Sequence, residues 1–328
     1  MCLVFYTQSS LFSNRDLIMY SDNKIAVIVP CYNEASAIAK VVSDFNKYLP
    51  EATVYVFDNN STDGTADVAA NAGAIVRHVG HKGKGNVVRR MFADIDADIF
   101  VMVDGDDTYE AAASPAMINK LLDENLDMVV GCRVENGDDK TYRPGHRFGN
   151  KMLTGTVSTI FKGSFTDMLS GYRVFSKRYA KSFPCHSHGF EIETELTIHA
   201  LELRMRIGEV QTSYGERPEG SVSKLSTYKD GIKILKTIVQ LYAYERPLFF
   251  YTLIATVFAL ISIILGFPLL KDYVETGLVP RFPTAIAAAS IMILGFLSLV
   301  CGVISHLTTI SRREMKYLTY LSIPMTRE

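Results

Sequence analysis

Tryptophan is missing altogether from these 328 residues, which excludes any motif that depends on one. An excess of charge is missing too: 34 Lys and Arg stand against 35 Asp and Glu, a net charge of −1. Chains that bind nucleic acid carry a marked basic excess, so no nucleic acid is expected as a partner. Cysteine is sparse. Cys2, Cys31, Cys132, Cys185 and Cys301 are odd in number and show no CxxC spacing. That pattern excludes a disulfide framework and a zinc site, and it places the soluble part in a reducing compartment. His186 and His188 form a pair without a third ligand at a recognisable spacing and read as loop histidines. The first stretch of chain, 1–23, lacks a basic segment followed by a cleavage site. It reads as an N-terminal extension, with Met19 as an alternative start.

What is abundant is hydrophobic residues, 48% of the chain, and they are unevenly spread. Up to about Glu245 the pattern is that of a soluble domain. Two long uncharged runs follow, about 248–270 and about 284–307. Each has the roughly 20 residues that a helix needs to cross a ~30 Å hydrocarbon core. Lys271 and Arg281 stand against Asp272 and Glu275 in the loop expected between them. The outer flanks are richer in cations, with Lys229, Lys233, Lys236 and Arg246 before and Arg312, Arg313 and Lys316 after. The positive-inside rule then predicts an integral membrane protein whose catalytic domain and both termini are cytoplasmic. Segment 229–246 sets Ile232, Leu235, Ile238, Val239 and Leu241 against three lysines. It reads as an interfacial amphipathic helix, or else as a packing helix of the soluble domain. The expected organisation is 1–23 extension, 24–228 catalytic domain, 229–246 interfacial helix and 247–328 membrane hairpin with a tail.

Within the soluble part, strands and helices alternate. Strands are predicted at Lys24–Val29, Thr53–Phe57, Ala74–Arg77, Ala97–Val103 and Met128–Gly131, and helices at about 36–48, 66–72 and 86–95. This order predicts a mostly parallel α/β sheet covered on both faces. Ligands of such sheets bind beyond the carboxyl ends of the strands. Asn33-Glu34, the run Asp58 to Asp63 and the run Asp104-Gly105-Asp106-Asp107 all fall at that edge.

The last run is the most telling. Carboxylates gathered at a strand end repel one another, and a cation offsets the repulsion. Oxygen-only ligands suit Mg²⁺ or Mn²⁺, which commonly also take a substrate phosphate. The alternative is an acidic solvent-facing turn. His81-Lys82-Gly83-Lys84-Gly85 fails the Walker pattern and reads as a flexible cationic loop able to approach a diphosphate, or as an ordinary surface loop.

These residues are familiar as a set. VIVPCYNE from Val27, DNNSTDGT from Asp58, GKG at Gly83 and DGDD from Asp104 resemble family 2 glycosyltransferases with the GT-A (Rossmann-like) fold. Gly131-Cys132-Arg133, the segment Arg143 to Asn150, Asp167 to Arg173 and Glu216 to Lys224 are similar to the polyprenyl-phosphate branch. That branch includes dolichyl-phosphate mannose synthase and bacterial undecaprenyl-phosphate glycosyltransferases.

The resemblance implies a role for each site residue. Pro30, Tyr32, Glu34 and Asp58 line the nucleotide. Asp104 and Asp106 hold the divalent ion on the diphosphate. Arg133, Arg217 and Lys224 gather around the acceptor phosphate and leaving group, with Arg173 as a further member. Lys84 is grouped with the nucleotide-binding residues. One departure is visible: the family often has Asp-Ala-Asp-Leu, whereas this chain has Asp-Gly-Asp-Asp. Asp167 is left with two readings, orienting a cation or the sugar, or bonding the Ser170-Gly171 turn. Glu191, Glu193 and Glu195 could meet sugar hydroxyls or solvate a helix.

The implied reaction moves a sugar from a UDP- or GDP-linked donor to a polyprenyl phosphate, with inversion. Membrane lipid is the second partner, and paired hairpins would allow a homo-oligomer. Two enzymatic rivals differ in the acceptor. A processive polysaccharide synthase usually carries a QxxRW signature, which needs a tryptophan; the other rival glycosylates another lipid or glycan acceptor. A non-enzymatic rival is a nucleotide-sugar-binding membrane scaffold.

Overall fold

The computed structural model describes residues 23–134, 155, 157, 165–185, 192–215, 239–240 and 243–325. The chain divides into two compact units: 1–143 with 164–224 and 316–328, and 144–163 with 225–315.

The first unit is built on seven strands: β1 (Ile25–Cys31), β2 (Thr53–Asp58), β3 (Ile75–His78), β4 (Ile99–Met102), β5 (Met128–Val134), β6 (Arg173–Ser176) and β7 (Ile207–Ser213). Their order across the sheet is β3-β2-β1-β4-β6-β5-β7. β1, β2, β3 and β4 run parallel to one another, as do β5 and β7. β6 is antiparallel to both β4 and β5. The sheet is therefore mostly parallel, as the alternation predicts, with one reversed strand that it does not reveal.

β1 and β4 are almost wholly apolar because both faces of the sheet are covered. Val27, Val29, Val101 and Val103 pack on one face with Ile38, Val42 and Phe45 of α1 (Ile38–Tyr48) and Met117, Ile118 and Leu121 of α4 (Ser114–Asp123). Ala26, Ile28, Phe100 and Met102 point the other way. They meet Val88 and Met91 of α3 (Lys84–Asp94), Tyr179 of α5 (Lys177–Ser182) and Leu196 of α6 (Ile192–Glu202). The short α2 (Thr65–Asn71) follows β2, entered through Gly64 at φ 85°. The chain end 316–325 belongs to this unit. Lys316 pairs with the buried Glu202 at 2.7 Å, and the Tyr320 hydroxyl donates to Asp127 at 3.0 Å.

The second unit contains α7 (Pro247–Thr276) and most of α8 (Phe282–Leu321), 30 and 40 residues long. Both are long and apolar enough to cross a membrane. They outrun the predicted spans because the polar ends are helical too. Lys271, Asp272 and Glu275 lie on α7, and of the four charges expected in the connecting loop only Arg281 lies between the helices. The helices meet along a seam of mostly small side chains spaced by seven: Ala255, Ser262 and Leu269 on α7, and Ala288, Gly295, Gly302 and Thr309 on α8. Seven-residue spacing keeps one helical face on the partner, and small residues let backbones approach without burying polar surface in lipid. The contact is close enough that a Cβ on Gly302 would stand 2.9 Å from Tyr251 Cβ. Ser262 donates to the Ala288 carbonyl at 2.8 Å. The interfacial helix expected at 229–246 lies mostly outside the described residues.

Candidate active site

The carboxyl edge of β1 and β2 is bound together by side chains that bond backbone. Asn33, in the left-handed region at φ 55°, takes a hydrogen bond from the Thr62 N–H at 2.8 Å, and its own N–H donates to Ser61 Oγ at 2.9 Å. The Glu34 N–H donates to Thr65 Oγ1 and the Ala35 N–H to Asp63 Oδ2. These bonds hold open the turn that carries Pro30, Tyr32 and Glu34. Tyr32 is exposed, with the Lys82 ammonium 5.8 Å from its ring centre. Asp58 is buried at the end of β2, where it accepts from the Ser61 N–H and lies 3.3 Å from His78 Nδ1.

Asn59 was not singled out by sequence reasoning, yet it fixes the cationic loop. Its amide nitrogen donates to the Val79 and His81 carbonyls at 2.9 and 2.8 Å, and its oxygen accepts the Gly83 N–H at 2.7 Å. Gly83 sits at φ 120°, a conformation closed to most side chains, and α3 begins immediately after it. Lys84 is thereby aimed inward. Its Nζ stands 2.6 Å from Asp104 Oδ1 and 2.6 Å from Glu193 Oε1. Burial alone would lower the pKa of this ammonium. The Asp104 and Glu193 charges more than offset that, so the pKa is raised and the lysine stays charged.

Asp104 follows β4, and its surroundings account for the two glycines near it. A Cβ on Gly105 would stand 2.5 Å from Cys31 Sγ, so the glycine in Asp-Gly-Asp is complementary to the cysteine in Pro-Cys-Tyr. A Cβ on Gly171 would stand 2.5 Å from Asp104 Oδ2. The Ser170-Gly171-Tyr172 turn is the back wall of this carboxylate. That turn is held by Ser170 Oγ, which donates to the Gly131 carbonyl at 2.6 Å, and by the Tyr109 hydroxyl, which accepts the Gly171 N–H at 3.0 Å. Asp106 is buried and accepts from Thr108 Oγ1 at 2.6 Å. Asp107, at φ 56°, forms an ion pair with Lys40 at 2.8 Å instead.

Arg133, near the end of β5, is clasped by Asp167 in a two-point ion pair, Nε to Oδ2 at 2.6 Å and Nη2 to Oδ1 at 2.7 Å. Its guanidinium lies 5.4 Å from the Tyr214 ring centre, and Tyr214 packs on Tyr109 at 5.2 Å. Asp104 and the Arg133–Asp167 pair are thus joined through Tyr109 and Gly171. Arg217, Lys224 and Glu191 lie outside the described residues.

Arg173 differs from its expected role. It is fully buried, and its guanidinium donates to the Ser170, Met168 and Glu193 carbonyls at 2.9, 2.6 and 3.1 Å and to Thr197 Oγ1 at 3.0 Å. With its donors taken up this way it meets no acceptor phosphate; it ties the turn behind Asp104 to the helix that carries Glu193.

The donor set suits a hard divalent ion. Among the described residues no three His, Cys, Asp or Glu side chains converge on a metal-binding point. Asp104 and Asp106 supply two carboxylates, and a lysine ammonium already stands against one of them. One or two carboxylates completed by substrate phosphates and water is the usual provision for Mg²⁺.

Residues 26–183 match the model of the family described as Glycosyl transferase family 2. Glycosyltransferase AglJ of Haloferax volcanii is 32% identical over 312 residues, covering 92% of this chain and all of that one. The chain belongs to glycosyltransferase family 2. Another relative of this glycosyltransferase, the dolichyl-phosphate hexose transferase of Haloferax volcanii, is 27% identical over 227 residues, 69% of this chain and 97% of that one. Among solved structures, glucosyl-3-phosphoglycerate synthase from Mycobacterium tuberculosis, in complex with Mn²⁺, UDP and glucosyl-3-phosphoglycerate, superposes with a TM-score of 0.58 at 21% identity. The match covers 73% of this chain and 86% of that one, and it identifies the shared fold.

Proposed function

We propose that this glycosyltransferase moves a sugar, with inversion, from a UDP- or GDP-linked donor to a polyprenyl phosphate at the cytoplasmic face of a membrane. The observation that carries the reading is the coexistence in one chain of an acidic, lysine-bridged sheet edge and two helices of membrane-spanning length. The kinship with a dolichyl-phosphate hexose transferase supports the acceptor class. The cationic flanks of the hairpin support cytoplasmic termini.

The chemistry asks little of a general base. A phosphate monoester has a second pKa of about 6 and is mostly dianionic at neutral pH, so the acceptor is already a nucleophile. The obstacle is bringing two anions together. Asp104 and Asp106 would hold a divalent ion, which when bound neutralises the diphosphate and acts as a Lewis acid on the leaving group. Pro30, Tyr32, Glu34 and Asp58 border the turn assigned to the nucleotide. Arg133, oriented by Asp167, carries the guanidinium charge assigned to the acceptor phosphate. Arg217 and Lys224 are assigned to the same anion. In-line attack from the face opposite the leaving diphosphate inverts the anomeric carbon.

The test is incubation of the full chain in lipid nanodiscs with a panel of labelled UDP- and GDP-sugars, short-chain polyprenyl phosphate and Mn²⁺. A charged product extractable into organic solvent is expected. In Asp106→Asn the Thr108 bond survives, and turnover should fall about a thousandfold, the several kcal/mol expected of the lost cation site. Transfer to a soluble acceptor in place of the polyprenyl phosphate would overturn the assignment.

A further inference from the structure

Glu193 is the feature that the proposed reaction leaves unused. It sits in the first turn of α6, with only 8% of its side chain exposed, and its carboxylate faces Lys84. Its main chain is anchored, since the carbonyl accepts from Arg173 Nη2 and Thr197 Oγ1 at 3.1 Å each. Lys84 is equally confined, 10% exposed, and stands between Glu193 and Asp104 at the same distance from each.

The arrangement sets up a competition. Asp104 is a carboxylate assigned to a divalent ion, and a monovalent cation of the chain already sits against it. An incoming ion must take that oxygen from the ammonium. A buried ammonium left with no counter-charge beside a divalent ion is strongly disfavoured. With Glu193 in place the ammonium keeps one carboxylate after losing the other.

We propose that Lys84 is an internal counter-cation that occupies Asp104 until a divalent ion takes that carboxylate, and that Glu193 is the positioning residue that retains Lys84 beside the site through the exchange. The inference rests on reading Asp104 and Asp106 as the divalent site. It assigns Glu193 no contact with metal or sugar; the side chain acts through Lys84. Before exchange the ammonium balances Asp104 and Glu193 together. After exchange it balances Glu193 alone and lies next to the diphosphate, adding one positive charge where the leaving group develops negative charge.

The experiment is Mn²⁺ titration of the full chain in nanodiscs without nucleotide, following the free-ion signal by electron paramagnetic resonance. Lys84→Met removes the competitor, and Mn²⁺ should bind about tenfold more tightly, the size typical of changes around a metal's ligands. Glu193→Gln leaves the ammonium dependent on Asp104, and binding should weaken by about tenfold. The charge-neutral double variant Lys84→Met/Glu193→Gln is decisive. With no lysine to retain, the loss caused by Glu193→Gln should vanish. The proposal is overturned if Lys84→Met leaves Mn²⁺ affinity unchanged or weaker. It is also overturned if Glu193→Gln weakens binding as much without Lys84 as with it, since Glu193 would then be a ligand itself. Asp106→Asn separates the two levels. If it abolishes Mn²⁺ binding while the Lys84 variants behave like wild type, the divalent site stands and the exchange fails. If it leaves binding intact, the divalent site fails and the exchange falls with it.

Discussion

The two halves of the sheet's carboxyl edge spend their polar side chains differently. After β1 and β2, Asn33, Asn59, Asn60, Ser61, Asp63 and Thr65 bond main-chain groups of neighbouring loops. After β4 and β5, the charged groups bond one another: Lys84 with Asp104 and Glu193, and Arg133 with Asp167. These bonds join one loop to the next, and where the main-chain group is buried, as the Val79 carbonyl opposite Asn59 is, leaving it unpaired costs about 1–3 kcal/mol. An ion pair can trade one partner for a ligand of the same charge at far smaller cost. The first half is therefore a frame that holds a turn in shape. The second is a set of charges already in place for a cation and two anions.

Replacing Arg133 tests the second half and has the largest expected effect on the comparison of the two halves. Arg133→Lys keeps the charge next to Asp167 and loses the planar set of donors that a guanidinium offers an anion. The stake is that of a hydrogen bond to a charged group, about 1.5–3 kcal/mol, or roughly ten- to a hundredfold in kcat/KM for the polyprenyl phosphate. The thermal midpoint should stay close to that of wild type. A variant that loses stability while turning over normally would place Arg133 with the frame and erase the distinction.

Asn59→Asp tests the first half by the opposite signature. The substitution is nearly isosteric and turns an amide donor into an acceptor facing the Val79 and His81 carbonyls. The His81 carbonyl loses the Asn59 donor and the Val79 carbonyl is left with Asn60, at a residue only 6% exposed. A loss of about 1–3 kcal/mol follows, which lowers the thermal midpoint by several degrees. At a temperature where the protein is still folded, turnover should fall less than in Arg133→Lys. Unchanged stability would mean that the Gly83-Lys84 turn is held by something other than Asn59.

The sequence showed the frame's location better than its construction. Alternation of apolar runs with helical patterns placed β1, β2, β4 and the acidic turn correctly because parallel strands buried on both faces leave an unmistakable apolar signature. β6 is short and begins with an arginine, so it leaves no apolar run in the sequence. A buried Arg173 satisfied by carbonyls of its own turn and of α6 is indistinguishable, in one dimension, from an exposed cation waiting for phosphate. Glu193 was one of three alternating glutamates, and only the tertiary approach of α3 selects it. The choice of glycine at position 105 likewise depends on Cys31, 74 residues earlier, and is legible only once β1 and β4 are adjacent. The hairpin was recognised by its length, yet its seam depends on the seven-residue spacing of mostly small residues that hydropathy averages away.

The smallest effect sharpens the contrast within a single helix, because α6 carries an ion-paired residue, Glu193, and a buried neutral one, His199. The imidazole is 1% exposed, packed edge-on against Tyr179 at 5.3 Å and near Phe183, with Nε2 3.1 Å from Ser182 Oγ. Nδ1 has no hydrogen-bond partner among the described residues. Burial, aided by the Lys316 charge, holds its pKa down to about 3. In the unfolded chain a histidine titrates near 6.5, so below that pH the unfolded state binds a proton that the folded state refuses. The stabilising contribution is complete above about pH 6.5 and is lost steadily as the pH falls toward 3. Between pH 7.5 and pH 5 the loss amounts to about 2 kcal/mol, a few degrees in thermal midpoint. His199→Gln keeps a polar group opposite Ser182 and removes the titration. Its midpoint should be lower than that of wild type at pH 7.5 and should decline less steeply toward pH 5. Parallel pH profiles for the two proteins would show that the imidazole is protonated in the fold and that α6 tolerates a buried cation, which its packing against aromatic rings argues against.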